Sequence, residues 1–139
     1  MTATRALGTT ISKGTVPVLI GGLTSIGGIE ITSETIDVTT LDSVGGYKEF
    51  IGGFKDGGEV AIEGFFDHAA VGQIAMQTSL DDGLAEDYKI SLPTTPPWEW
   101  AFKGVVTGFK VGDVDVDGTI NFGSTIKVSG KPVLQLKAV

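Results

Sequence analysis

Cysteine is missing from this 139-residue chain, and histidine occurs once, at His68. Disulfides, thiolate metal centres and cysteine nucleophiles are therefore excluded. A single histidine also leaves zinc sites and Ser-His-Asp catalysis without the partners they require, so His68 reads as a surface residue. Basic residues are scarce: ten Lys and Arg stand against 17 Asp and Glu, a net charge of −7. A pI near 4.5 argues against tight binding to nucleic acid, because neutralising phosphates supplies most of that affinity. No apolar run approaches the roughly 18 residues of a membrane-spanning helix, and no charged-then-apolar segment of the signal-peptide kind opens the chain. Synthesis in a cytoplasm, with no membrane partner, is the expectation. A G-x-G-x-x-G turn before a helix, a Walker loop and a G-x-S-x-G elbow are all lacking, so nucleotide binding and serine-hydrolase chemistry have no support.

Glycine, by contrast, is abundant. Twenty-one glycines with no Gly-X-Y period point to turns and bulges between short strands. A hydrophobic fraction of 41% argues for a folded core, and the length fits one domain, residues 1–139.

The stretch from Gly28 to Phe66 organises the rest. Its flanks, GIEITSETIDVTT and EVAIEGFF, are rich in β-branched and aromatic residues with near-alternating polar partners, so they read as the two arms of a long hairpin. Between them LDSVGGYKEFIGGFKDGG holds the pairs Gly45-Gly46, Gly52-Gly53 and Gly57-Gly58, too long a connection for a tight turn, and residues 41–57 read as a projecting loop. In the return arm Val60 and Ile62 face one way while Glu59, Ala61 and Glu63 face water. In the outgoing arm Ile29 and Ile31 have one parity and Ile36 and Val38 the other, which predicts a bulge near Ser33 or Glu34 if all four are buried. This stretch carries eight acids and only two lysines, so the remainder of the chain is nearly neutral.

Residues 1–15 read as an unpaired arm, or as one that orders against a neighbouring subunit. Val16–Ile20 reads as a short strand that Pro17 confines to an edge, and LTSI, between Gly21-Gly22 and Gly27-Gly28, as a turn or second short edge. The spacing of Ala70, Val71, Ile74, Ala75 and Thr78 predicts the one helix, over Asp67–Leu80, with Asp67 as N-cap and Asp81-Asp82-Gly83 as the stop. Strands return at Glu86–Leu92, Trp98–Phe109, Val111–Asp117 and Thr119–Ser129, with Val133–Leu136 as a last edge. Pro93, Pro96 and Pro97 mark a rigid loop, and Asp117-Gly118 a type I′ hairpin turn.

Three patterns invite a chemical reading. Asp113, Asp115, Asp117 and Gly118 resemble the opening of a calcium loop, but the twelfth position, where a bidentate Glu belongs, is Ser124; alternating acids on an exposed hairpin face account for the same letters. Two carboxylates across a cleft would suffice for glycoside hydrolysis, yet no pair is singled out. Trp98, Trp100 and Phe102 share one strand face, as a sugar-stacking platform would, or as a core or subunit-interface ladder would. No cofactor, metal site or catalytic residue is expected.

The order of a Thr39-Thr40-Leu41-Asp42-Ser43 strand end, a glycine-bearing loop with Tyr47 and Lys48-Glu49-Phe50, then Ile51-Gly52-Gly53-Phe54-Lys55-Asp56-Gly57-Gly58-Glu59 and an apolar strand, resembles the long hairpin of the major tail tube proteins of long-tailed, siphovirus-type bacteriophages. The likeness in length and element order extends over most of the chain. It implies a mainly β fold with one α-helix, a β-sandwich or barrel-like tail tube fold with a long projecting hairpin loop. It further implies a non-enzymatic virion protein, assembled in the bacterial host cytoplasm, whose copies polymerise into stacked hexameric rings around a channel for double-stranded DNA. A wall that repels phosphate suits such a channel, and Glu30, Glu34, Glu59 and Glu63 are the expected lumen residues. Leu41, Tyr47, Phe50, Ile51 and Phe54 are the expected ring-stacking residues of the inter-subunit loop 41–57. The partners implied are the protein itself, tail tip or baseplate, tape-measure and tail terminator proteins. A carbohydrate-binding or capsid-decoration β-sandwich is the competing reading.

Overall fold

The computed structural model describes residues 3–15, 17–112, 114 and 118–137. Nine strands and one helix follow in order: β1 (Thr10–Lys13), β2 (Val18–Leu19), β3 (Leu23–Ile26), β4 (Thr32–Asp37), β5 (Phe50–Asp56), β6 (Glu59–Phe65), α1 (Val71–Asp82), β7 (Glu86–Leu92), β8 (Trp98–Gly112) and β9 (Asn121–Leu136). Seven strands form one antiparallel sheet in the order β2-β1-β7-β8-β9-β6-β3, and β4 and β5 form a separate two-stranded sheet. The mainly β, one-helix architecture expected from the sequence is the one observed.

The 15- and 16-residue strands β8 and β9 make the sheet curl. Strand β7 pairs with the first half of β8, ending at Glu86↔Gly104, while β6 pairs with the first half of β9, from Phe65↔Asn121 to Glu59↔Lys127. Register shifts between Ala101 and Lys103 and between Val106 and Gly108 bend the long pair where one half gives way to the other. Gly104 sits at that bend, where a Cβ would collide with Ile126. Inside the curl lie Ile11, Val60, Ile62, Tyr88, Ile90, Phe102, Phe122, Ile126 and Val128, supplied by alternate positions of facing strands. The Tyr88 and Phe102 rings stack at 5.6 Å, and Phe109 meets Phe122 edge-on at the same centroid distance.

Helix α1 supplies Met76 to this core but does not use the apolar stripe read from sequence. It starts at Val71 with Ala70 in the N-cap position, and Asp67 instead accepts the Ala69 N–H in a turn before it. The inward face is Gly72, Gln73, Met76 and Ser79, whereas Val71 and Ile74 are exposed. Close approach decides the orientation: Gly72 lies so near Leu19 and Ile20 that any Cβ would strike their backbone. Fully buried Gln73 then donates to the Gly21 and Phe65 carbonyls at 2.8 and 2.9 Å and accepts from the Asp67 N–H at 3.0 Å. Three backbone groups at a strand junction are satisfied by one side chain. The C-terminal stop is as expected, with Gly83 left-handed at φ 66°.

The central hairpin is also rearranged. Strand β6 does not pair with the outgoing arm; it lies between β9 and β3, and β4 pairs instead with β5, which the sequence reading had placed in the loop 41–57. The physical corner is Gly57-Gly58. Gly57 is buried against Val128 and Pro132, and Gly58 turns at φ 77° beside the Glu30 carbonyl, so the chain leaves one sheet and enters the other there. Gly52-Gly53 is no breaker, because β5 has no core beneath it to leave unfilled. The bulge expected near Ser33 or Glu34 is present between Ser33 and Thr35, although Ile31, Ile36 and Val38 are exposed and not buried.

Both short edges are where they were expected, with β2 following Pro17 at one end of the sheet and β3 at the other. Of the predicted strand Val111–Asp117, Val111 and Gly112 form the end of β8, where Gly112 pairs with Asn121, and Thr119–Ser129 and Val133–Leu136 merge into β9 across a bulge at Gly130, φ 81°. Asp113, Asp115 and Asp117, and with them the Asp-Gly turn, lie outside the described residues.

Candidate functional site: bare strand edges and a projecting hairpin

Pairing in the curled sheet is incomplete. Beyond Gly104 strand β8 loses β7, so Val105–Gly112 pairs on one side only, with β9. At the far side β3 pairs only with β6. The four-stranded half-sheet β3-β6-β9-β8 therefore ends, among the described residues, in an open backbone edge on each side. An open edge is a template for another strand, and nothing on these two blunts it with proline.

The outward face of the same half-sheet carries charge of both signs. Glu59 and Glu63 are exposed on either side of the core-facing pair Val60 and Ile62, as expected. Glu59 lies opposite Lys127, and Glu63 lies opposite Gly123, which in turn faces Lys110 on β8. The Lys127 ammonium donates to Asp56 Oδ1 at 2.8 Å, and that carboxylate also accepts the Gly58 N–H at 2.7 Å. These two bonds, the lysine first, hold the Asp56 pKa below its ordinary value. Glu30 and Glu34 are exposed but sit elsewhere, in the link before β4 and at the β4 bulge. Glu59 and Glu63 thus lie on the half-sheet, Glu34 on the hairpin and Glu30 in the link between them. Lys110 and Lys127 were missed in the sequence reading, although the inward parity of Phe122, Ser124, Ile126 and Val128 assigns Lys127 to the outer face.

The β4–β5 hairpin stands off the body. Its contacts with the seven-stranded sheet are at its base, through the Asp56–Lys127 ion pair and the Gly57-Gly58 corner, beside an open cleft of about 830 Å³ lined by Ile31, Phe54, Val128 and Pro132. The tip is braced internally: Glu49 N–H donates to Thr39 Oγ1 at 2.7 Å, Ser43 Oγ bonds the Glu49 carboxylate at 3.2 Å, and Thr39 N–H donates to Asp37 at 2.9 Å. Thr39's side chain, and after it that backbone bond, hold the Asp37 pKa below its ordinary value. The apolar side chains of the hairpin and its tip are exposed. Leu41 is fully exposed, Tyr47 78% and Phe54 88% exposed, and Phe50 and Ile51 about half. Phe50, Ile51 and Phe54 are strand residues, whereas Leu41 and Tyr47 belong to the connecting tip.

The remaining candidates dissolve into the fold. Phe102 is core, Trp100 packs at the core margin and Trp98 is partly exposed, so the row dives inward instead of forming a flat platform. Ser124, the twelfth position of the calcium pattern, is buried in β9 and donates to the Gly108 carbonyl at 2.7 Å. His68 is exposed. Among the described residues no three His, Cys, Asp or Glu side chains gather as a metal site would require.

A curled antiparallel sheet with one covering helix, bare edges and a standing hairpin defines the tail tube fold, and comparison with solved structures finds it. The chain superposes on a subunit of the virion of a native gene transfer agent particle with a TM-score of 0.77 and 21% identity, covering 98% of this chain and 100% of that one. It matches the tail of an empty gene transfer agent particle with C6 symmetry at 0.74 and 22% identity, with the same coverage. The SPP1 tail tube matches at 0.74 and 10% identity over 97% of this chain and 80% of that one. Tube structures from a contractile injection system share the fold as well, so the likeness is to tail tubes in general and not to the siphovirus type alone. No protein-family model matches the sequence, and comparison with curated proteins finds no match.

Proposed function

We propose that this chain is a structural, non-enzymatic subunit that polymerises into stacked hexameric rings, forming the tail tube of a phage-like particle through which double-stranded DNA passes. The observation that carries the reading is the half-sheet β3-β6-β9-β8 with an open edge at each end. Pairing β3 of one copy with Val105–Gly112 of the next, repeated until the ring closes, removes every such edge. Six copies giving four strands each, about 4.8 Å apart and tilted by about 40°, close a backbone circle roughly 48 Å across. A DNA duplex still passes once side chains are subtracted. Glu59 and Glu63 face the bore in this arrangement, with Glu30 and Glu34 nearer the ring junction, and the hairpin carrying Leu41, Tyr47, Phe50, Ile51 and Phe54 reaches the next ring.

The particle reading carries its partners with it: a tail tip or baseplate at one end, a terminator at the other and a tape-measure protein inside, with the siphovirus-type tail as the specific form and assembly in the host cytoplasm. Negative-stain microscopy of purified protein across a concentration series tests the central claim. Rings and then hollow filaments are expected as concentration rises. Monodisperse monomer or trimer at every concentration, with tryptophan quenching on adding glycans, would favour the carbohydrate-binding or capsid-decoration sandwich instead.

A further inference from the structure

Alternation along the β4–β5 hairpin gives it one apolar face and one polar face. The bulge on β5 between Gly52 and Lys55 puts Phe54 on the face of the Ile36↔Ile51 pair, together with Glu34. Ser33, Thr35, Asp37 and Lys55 take the other face, where Phe50 is the one large apolar residue of the two strands. A ribbon patterned in this way is suited to lying on a surface. One lies beside it: Phe54, Glu34 and Asp56, all on the apolar face, line the open cleft of about 830 Å³ whose body wall includes Val128, Lys131 and Pro132. The lining charges balance, Glu34 and Asp56 against Lys55 and Lys131, so closing the cleft meets no net repulsion.

The root of the hairpin is narrow. On the outgoing strand Ile29 packs on the core and the Glu30 carbonyl lies beside Gly58; on the return strand Gly57 is buried against Val128 and Pro132. Residues 31–56 lie outside these anchors, so the ribbon can turn as a unit about the Ile31 and Gly57 backbones. One side-chain tie crosses that line, where Asp56 Oδ1 accepts from the Gly58 N–H and from the Lys127 ammonium.

We infer that the hairpin is a lid as well as an arm: in the free subunit it turns about this root to close the cleft, laying Phe54 against Val128 and Pro132, and the Asp56–Lys127 pair is the latch of the upright form. The inference rests on the tube reading and deepens it, because a closed hairpin is withheld from assembly. Closing takes from water the Phe54 side chain, which is 88% exposed when upright. Opening regains only an exposed ion pair, of a kind that contributes little by itself. The free subunit therefore exchanges between the two forms, and whatever receives the hairpin during assembly draws it upright.

The chain has no cysteine of its own, so Ile51→Cys with Lys131→Cys places one spin label on the apolar face of the hairpin and one on the body wall. Dipolar distance measurement on dilute protein should find two separations. Adding Lys127→Met should raise the ratio of short to long by about two- to fivefold, the factor that an exposed ion pair carries. Joining the two thiols with a short bis-maleimide should stop filament formation, whereas the unlinked double variant should polymerise. A single long separation, or a ratio that Lys127→Met leaves unchanged, overturns the lid, and so does linked protein that polymerises. Absence of filaments from the unmodified protein sinks the tube reading instead, and the separations still decide whether the lid closes.

Discussion

Tyr88 shows how one atom can run against the fold that contains it. Its ring is buried and stacked on Phe102, yet among the described residues its hydroxyl has no hydrogen-bond partner, and burial pushes its pKa up to about 12. The folded protein therefore resists losing the proton, whereas the unfolded chain releases it near the ordinary value of 10. Between those two values the unfolded state binds fewer protons, so stability is full below about pH 10 and declines as pH rises toward 12. Tyr88→Phe removes an unpaired buried polar atom and keeps the stack. Urea unfolding at pH 7 should find the variant as stable as the natural protein or more so, and at pH 11 its advantage should grow by about 1–2 kcal/mol. A loss of stability at pH 7 would mean that the hydroxyl has a partner.

At the scale of elements, what was legible in the sequence is what local periodicity dictates. Val60 and Ile62 alternate with Glu59, Ala61 and Glu63, and β6 buries the first pair and exposes the others. The bounds of β7 and the start of β8, the edge character imposed by Pro17 and the stop at Gly83 were likewise readable, because each follows from a neighbouring side chain or a φ angle. Tertiary choices were not. Helix α1 turns Gly72 and Gln73 inward because a backbone crosses there and three backbone groups need a partner, which outweighs burying Val71 and Ile74. The hairpin was misassigned because every glycine pair was read as a breaker; Gly45-Gly46 does turn the tip and Gly57-Gly58 the corner, but Gly52-Gly53 lies inside β5. Because the hairpin leaves and returns where Gly58 meets the Glu30 carbonyl, it is a removable element. Replacing residues 32–56 by a short Gly-Ser linker should leave the cooperative unfolding of the body within about 1 kcal/mol of the natural protein, since no core residue is lost. The same deletion should abolish filaments while leaving single rings visible by microscopy. Complete unfolding of the deletion protein would show that the hairpin is part of the body.

At the scale of the whole molecule, the face proposed to line the bore is less uniformly acidic than the sequence suggested, and on the proposed function the difference bears on how DNA would slide past it. On the half-sheet's outer face Glu59 and Glu63 are interleaved with Lys110 and Lys127, and Lys127 is drawn to Asp56. A lysine held by a carboxylate has no free charge to offer a phosphate, so on the proposed reading the glutamates need not outnumber it greatly for such a wall to let DNA slide. Reversing them changes that balance in every subunit of every ring. The double variant Glu59→Lys with Glu63→Lys should still assemble, because both side chains face outward from β6 and neither fills the core. Its tubes should retain duplex DNA in co-sedimentation at low salt and release it as salt rises, with a steep log–log dependence, whereas tubes of the natural protein should retain none. Equal and negligible retention by both tubes would mean that this face is not the wall of the channel, and that Glu34 on the hairpin and Glu30 in the link before it are the ones to reverse next.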